Sequence, residues 1–134
     1  MSSFLFELVT PERVLLRERV RSVRAPGIEG SFGVLANHAP LMTALAVGLV
    51  KVEYDNGDLE YIATSGGFME VNREKTTILA DTAERANDID IARAEEAISR
   101  AKQNLASGSS VDYQEASATL ERATNRLRIA QMDR

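Results

Sequence analysis

Near Ala86 the spacing of apolar residues changes, and that change limits the fold more than any other feature of the chain. Before it the apolar residues alternate. In "FLFELV" Phe4, Phe6 and Leu8 share one face with Glu7 opposite, and in "LVKVEY" Val50, Val52 and Tyr54 alternate with Lys51 and Glu53. This two-residue period belongs to half-buried strands. Beyond Ala86 the apolar residues recur every three or four positions: Ile91, Ala94, Ile98, Ala101 and Leu105, then Ala116, Leu120, Ala123, Leu127 and Ala130. That is the period of amphipathic helices.

The local signals agree with this division. "DNGD" separates "VKVEY" from "LEYIA", and its Asn56-Gly57 pair suits the two positive φ angles of a type I′ hairpin turn. Further strands are expected at 19–25, 67–72 and 76–81, punctuated by Gly27, Gly30, Gly33, Gly48, Gly66 and Gly67. Such spacing leaves little room for crossover helices and favours an antiparallel sandwich or barrel. Asn87 or Asp88 is expected to cap the first helix, and Asp112 with Glu115 forms a capping-box pattern for the second. The short "ASGSS" link makes the helices antiparallel neighbours. The expected class is an α+β arrangement: an N-terminal antiparallel β-sandwich over 1–84, then a C-terminal antiparallel two-helix hairpin over 85–134. Alanine seams bury little area, so docking of the hairpin on the sandwich is expected to be marginal, as a movable element requires, with a permanently docked pair of helices as the alternative the pattern leaves open.

Composition excludes several function classes. A chain of 134 residues has room for one modest core with an appendage. Its net charge of -4 divides into 8 basic and 12 acidic side chains over 1–84 and 8 of each over 85–134, so neither half is a basic nucleic-acid surface. Without cysteine there are no disulfides or thiolate sites. Glu7 interrupts the first apolar residues and no basic segment precedes them, which makes a poor signal peptide. No apolar run approaches the length of a membrane span, so direct membrane insertion is not expected.

Catalysis finds little support. His38 is the single histidine, no G-x-S-x-G or G-x-x-x-x-G-K-[ST] pattern occurs, and no two histidines can share a metal. We expect no catalytic and no metal site. His38 lies in "NHAPLM", a turn-like segment before Pro40 followed by apolar Leu41 and Met42. It reads either as a loop residue with local hydrogen bonds or as part of a sticky surface patch. Arg93 stands three residues after Asp90, and spacing alone makes the two a surface pair. Arg100, Arg122 and Arg126 offer an alternative in which guanidiniums from both helices meet phosphate oxygens.

Taken together, "GSFGVLANHAPLMTAL", "SGGFMEV", "TILADTAERANDIDIARA" and "ATNRLRIA" resemble the ε subunit of bacterial and chloroplast F-type ATP synthases over almost the whole chain. The resemblance implies a non-catalytic rotor subunit at the foot of the central stalk, touching the γ subunit and the c-ring. It would couple proton flow to ATP synthesis and restrain ATP hydrolysis when the hairpin extends toward the α/β catalytic head. It implies no required cofactor, with ATP as a regulatory ligand. The location implied is the cytoplasmic face of the bacterial plasma membrane, through the complex, or the stromal face of the thylakoid. A stand-alone ATP-binding sensor module is the competing reading, and a small ligand-binding sandwich or carboxylate enzyme a third.

Position by position, the resemblance assigns His38, Ala39, Pro40, Leu41 and Met42 to a γ contact, and Glu29 and Ser31 to a c-ring contact. Ser31 and Ala36 depart from the family pattern, which often has an acidic residue and a proline there. The I/L-D-x-x-R-A motif appears as Ile89, Asp90, Arg93 and Ala94; with Glu84, Arg100, Arg122 and Arg126 these are the residues implied to bind ATP. Arg122, Arg126 and Arg128 are also implied to meet acidic surface on the head when the hairpin extends.

Overall fold

The computed structural model describes residues 2–107 and 113–132. Ten strands come first: β1 (Phe4–Val9), β2 (Val14–Val20), β3 (Ser22–Gly27), β4 (Gly30–Leu35), β5 (Leu41–Leu45), β6 (Gly48–Glu53), β7 (Leu59–Thr64), β8 (Gly67–Val71), β9 (Lys75–Ala80) and β10 (Ala83–Arg85). One 3-10 turn at Ala86–Asp88 then leads into α1 (Ile91–Ala106) and α2 (Tyr113–Met132).

Alternation builds the sandwich. Phe4, Phe6 and Leu8 of β1, Val50 and Val52 of β6, Ile62 of β7, Met69 of β8 and Ile78 of β9 are all buried in one core. The strand order is β10-β7-β6-β3-β5-β8-β9-β1-β2, with β4 beside β3. β3 meets β5 through one residue pair, Gly27 with Leu45. There the sheet folds over, so that β4, β3, β6, β7 and β10 form one layer and β5, β8, β9, β1 and β2 the other. Gly67, at φ 142°, makes the closest approach: a Cβ there would lie 2.1 Å from the Leu79 carbonyl oxygen, which only glycine tolerates.

Several details differ from the sequence expectation. β1 and β9 pair in parallel, from Leu5 with Lys75 to Val9 with Leu79. The long excursion between them supplies the return connection that parallel neighbours need. The β6–β7 hairpin forms, but Gly57 alone of its turn has positive φ, 92°. Gly57 N–H donates to the Tyr54 carbonyl and Tyr54 N–H to that of Asp58, the pattern of a three-residue loop with a glycine bulge rather than a type I′ turn. Strands β2, β4, β5 and β10 were not anticipated as units; β2 buries only Leu16 and Val20 and β4 only Val34, so their apolar alternation is faint.

The cap of α1 is Asp90, not Asn87 or Asp88, which lie in the 3-10 turn. Its Oδ1 accepts from the Arg93 backbone N–H at 3.1 Å. Asp90 and Arg93 are therefore partners through the backbone, and the guanidinium stays clear of that carboxylate. Asp112 of the second proposed cap lies outside the described residues.

Arg85 ties the end of the sandwich together. Its guanidinium donates to Glu60 Oε2 at 3.1 Å and to the Leu15 carbonyl at 2.8 Å, bridging β10 to β7 and β2. The other Glu60 oxygen accepts from the Tyr54 phenol. Burial first, then this hydrogen bond and the charges of Glu60 and Glu18, push the Tyr54 pKa well above its ordinary value, while Arg85 pulls weakly the other way. The raised value means the fold favours the neutral phenol. Its contribution to stability is complete below the unfolded-chain pKa of about 10 and is lost as pH rises from there toward the folded value. Denaturant unfolding at pH 9 and pH 11 should show a steeper loss of stability for the wild type than for Tyr54→Phe; equal losses would remove Tyr54 from the account.

Candidate functional site

A cleft of about 620 Å³ lies between the sandwich and the hairpin, within the size range of small-molecule sites. The sandwich wall is made by Glu12 and Arg13 of the β1–β2 turn, Ala63 and Thr64 at the end of β7 with Ser65 after it, and Thr82 with Ala83 and Glu84 of β10. The hairpin wall carries Arg93 and Ala97 of α1 with Thr119, Arg122, Ala123, Asn125 and Arg126 of α2. Three guanidiniums thus face the cleft from the hairpin. Arg126 donates to Glu84 Oε1 at 2.8 Å, a pair in which both side chains are about one-third exposed. Among the described residues no carboxylate lies within 4 Å of Arg13, Arg93 or Arg122; Arg122 only grazes Thr119 Oγ1 at 3.4 Å.

The helix seam explains why these arginines arrive together. Ala94 and Ala101 of α1 and Ala116 and Ala123 of α2 are buried between the helices, and small side chains let the two backbones approach. Asn104 of α1 and Ala116 of α2 share one groove, while Ala97 and Ala123 meet at the cleft farther along. The helices are therefore antiparallel. The α2 face that docks on the sandwich was missed by the sequence reading. It carries Asn125 and Ile129, four residues apart, beside Ala130.

Ile129 and Ala130 pack on Ala63 of β7 with Ala86 and Ile89. Asn125, only 7% exposed, donates from Nδ2 to the Gly48 carbonyl at 2.9 Å and accepts from Arg128 at 3.0 Å through Oδ1. Gly48 itself is fixed by Pro26, whose Cβ would be 2.6 Å from an added side chain.

The structure brings Glu84, Arg93, Arg122 and Arg126 to one cleft and separates the remaining members of the implied set. Ile89 is buried in the docking seam, Asp90 caps α1, and Ala94 is buried against α2. Arg100 pairs with Glu96 at 2.5 Å and lines the adjoining groove between α1 and α2 rather than this cleft. Glu12, Arg13 and Asn125 line the cleft without having been singled out. The only earlier signal was for Asn125, four residues before Ile129 on a helix whose apolar stripe was assigned to another face. Among the described residues no group of three or more His, Asp or Glu side chains is placed to hold a metal, and no helix is long and apolar enough to cross a membrane.

A second feature lies on the outer face of the other layer. Val14, Val9, Leu79, Phe68 and Ala44 stand in register across β2, β1, β9, β8 and β5. Phe68 is 59% and Leu79 56% exposed, and Met42, two residues from Ala44 on β5, is 68% exposed. An outward apolar row across five strands is the kind of patch that marks a protein interface. Leu41 and Met42 thus belong to a strand, whereas His38 to Pro40 form the loop before it. His38 Nδ1 lies 2.6 Å from the Ala39 carbonyl oxygen, so a neutral ring donates there and leaves Nε2 as acceptor. Glu29 stands at the exposed tip of the β3–β4 hairpin beside Ile28, and Ser31 is exposed on β4.

Comparison with known proteins agrees with this anatomy. Residues 3–86 match the ATP synthase Delta/Epsilon chain beta-sandwich domain and 87–131 the Delta/Epsilon chain long alpha-helix domain. The chain is 47% identical over 126 residues to the ATP synthase epsilon chain of Desulforamulus reducens, covering 93% of this chain and 95% of that one. It is 48% identical over 128 residues to that of Nitratidesulfovibrio vulgaris, covering 95% of each. Among solved structures, a chain of the Euglena gracilis mitochondrial ATP synthase OSCP/F1/c-ring assembly superposes with a TM-score of 0.85 at 26% identity, covering 93% of this chain and 79% of that one. A chain of the Tetrahymena thermophila mitochondrial ATP synthase central stalk and c-ring shares the fold, with a TM-score of 0.54 at 18% identity over 65% and 69% of the two chains.

Asn125→Ala leaves the buried Gly48 carbonyl without its partner, at a cost of about 1–3 kcal/mol to the docked hairpin. Hydrogen exchange of α2 amides should then quicken by roughly five- to a hundredfold while β1 and β9 stay protected. Unchanged α2 exchange would show that this bond does not hold the hairpin down.

Proposed function

Because the chain belongs to the ATP synthase delta/epsilon family, we propose that it is the rotor-stalk subunit that couples proton flow to ATP synthesis and restrains ATP hydrolysis through its hairpin. What carries this reading is the hairpin's thin attachment. The docking seam buries Ala63, Ala86, Ile89, Ile129 and Ala130, with Leu49, Tyr61 and Ile91 partly buried against them, and the buried Asn125–Gly48 hydrogen bond crosses it. Three of the five fully buried residues are alanines, and Leu49, Tyr61 and Ile91 are covered only in part, so the seam is small beside the sandwich core at about 25 cal/mol per Å² and release lies within reach of a ligand or partner.

ATP is the regulatory ligand in this proposal, held with its phosphates against Arg93, Arg122 and Arg126; Glu84 keeps Arg126 in place beside the cleft. The fit rests on Arg93 and Arg122, whose guanidiniums have no carboxylate partner among the described residues, in a cleft of suitable volume. Arg100 stands in the adjoining groove, paired with Glu96. ATP shifts the hairpin toward docking only by its preference for that state. Once the hairpin extends, Arg122, Arg126 and Arg128 are free to meet acidic surface on the α/β head, contacts that weaken with salt.

The γ subunit takes the apolar row and the neighbouring His38–Met42 segment, and the c-ring takes the Ile28–Glu29 tip with Ser31. Attachment through these partners places the chain at the cytoplasmic face of a bacterial plasma membrane.

Two measurements test the proposal. ATP hydrolysis by a reconstituted head should be inhibited by the full chain and not by a chain lacking residues 88–134; equal rates sink the inhibitory role. Calorimetry with ATP should show binding that weakens at least tenfold in Arg93→Ala, on the scale of a lost charge-assisted hydrogen bond. No heat at millimolar ATP would remove nucleotide control.

A further inference from the structure

The two walls of the arginine cleft carry opposite charge balances. On the hairpin side Arg93, Arg122 and Arg126 all face it; on the sandwich side the charged residues are Glu12, Glu84 and Arg13. An anion bound by the hairpin alone has no reason to favour docking, and the two glutamates would repel it. Differential affinity for the docked state needs a favourable contact from the sandwich, and for a multiply charged anion the strongest such contact is a cation. Among the described residues of that wall, Arg13 is the one available.

Arg13 is also held for the task. Its backbone N–H lies 3.3 Å from both the carbonyl and Oγ1 of Thr10, and Thr10 N–H donates to the Arg13 carbonyl at 2.9 Å. The turn therefore fixes the arginine's backbone while its guanidinium has no ion-pair partner among the described residues. We infer that Arg13 is a phosphate ligand contributed by the sandwich, and that it couples anion binding to hairpin docking. This rests on the nucleotide reading above. The ligand class is a polyphosphate chain, long enough to touch guanidiniums from the β1–β2 turn, α1 and α2 together.

The test uses the full chain as wild type, Arg13→Ala, Arg13→Lys and Arg93→Ala, titrated with ATP and with tripolyphosphate. Affinity is read by calorimetry and docking by ligand-dependent hydrogen-exchange protection of α2. Arg13→Ala should weaken both ligands about tenfold and reduce the protection they confer on α2, with Arg13→Lys recovering part of each. A merely structural arginine would not move ligand-dependent protection. If wild type binds ATP and Arg93→Ala does not, yet Arg13→Ala binds and protects like wild type, the role of Arg13 is overturned and the nucleotide reading stands. Dependence on Arg13 with ATP but not with tripolyphosphate would overturn its assignment to the phosphate chain. No binding by wild type at millimolar ligand overturns both.

Discussion

The carboxamide of Asn125 sits where the helical half of the chain meets the sheet, and the relation between the two halves turns on it. Around it the fully buried seam is three alanines and two isoleucines, with Leu49, Tyr61 and Ile91 only partly covered, which gives closeness with modest buried area. An amide in such a place adds little net stability, because undocking returns both partners to water, where they find other hydrogen bonds. What it adds is register. With Nδ2 on the Gly48 carbonyl and Oδ1 occupied by Arg128, α2 cannot slide or rotate by a residue without burying unsatisfied polar groups. The docked state is thus specific in geometry and modest in energy, the combination a reversible element requires.

That modest energy gives the cleft its leverage. Docking brings Arg93, Arg122 and Arg126 beside Arg13 with only Glu84 and Glu12 as counter-charges at the cleft, on a chain whose net charge is -4. Four guanidiniums against two carboxylates leave the docked cleft with a positive balance, which an anion placed among them neutralises. The Glu84–Arg126 pair, about one-third exposed on each side, contributes at most about 1 kcal/mol. It orients a guanidinium more than it fastens a helix.

Legibility in the sequence followed energy and periodicity. The strands that bury alternate side chains deeply, β1 and β6 above all, were visible because a two-residue period is hard to produce otherwise. Strands such as β2 and β4, which turn one or two apolar residues inward, gave no such pattern and were lost among turns. The helix pair was visible through its alanine seam. The docking face was not, because Asn125 interrupts the apolar stripe that Ile129 would otherwise announce. In the Ile89-Asp90-Arg93-Ala94 motif, spacing could not tell a surface pair from a ligand. The structure gives Ile89 to the seam, Asp90 to the cap and Ala94 to close helix packing, three positions that start α1 so that Arg93 faces the cleft. Arg13 had no sequence signal, since only the fold brings the β1–β2 turn to α1.

The fold also separates attachment from movement. The apolar row lies on the outer face of β5, β8, β9, β1 and β2, whereas the hairpin covers Leu49, Tyr61 and Ala63 on the outer face of β6 and β7. Between these faces runs a core of fully buried Phe6, Leu8, Val50, Val52, Ile62, Met69 and Ile78, dense and resistant to deformation. A partner seated on the row therefore need not loosen when α2 lifts from β7, because neither surface borrows side chains from the other. Independence of the two faces leaves either one able to change its contacts without disturbing the other. The chain secures that independence by putting a large buried core between the layers and a smaller, alanine-rich seam under the hairpin.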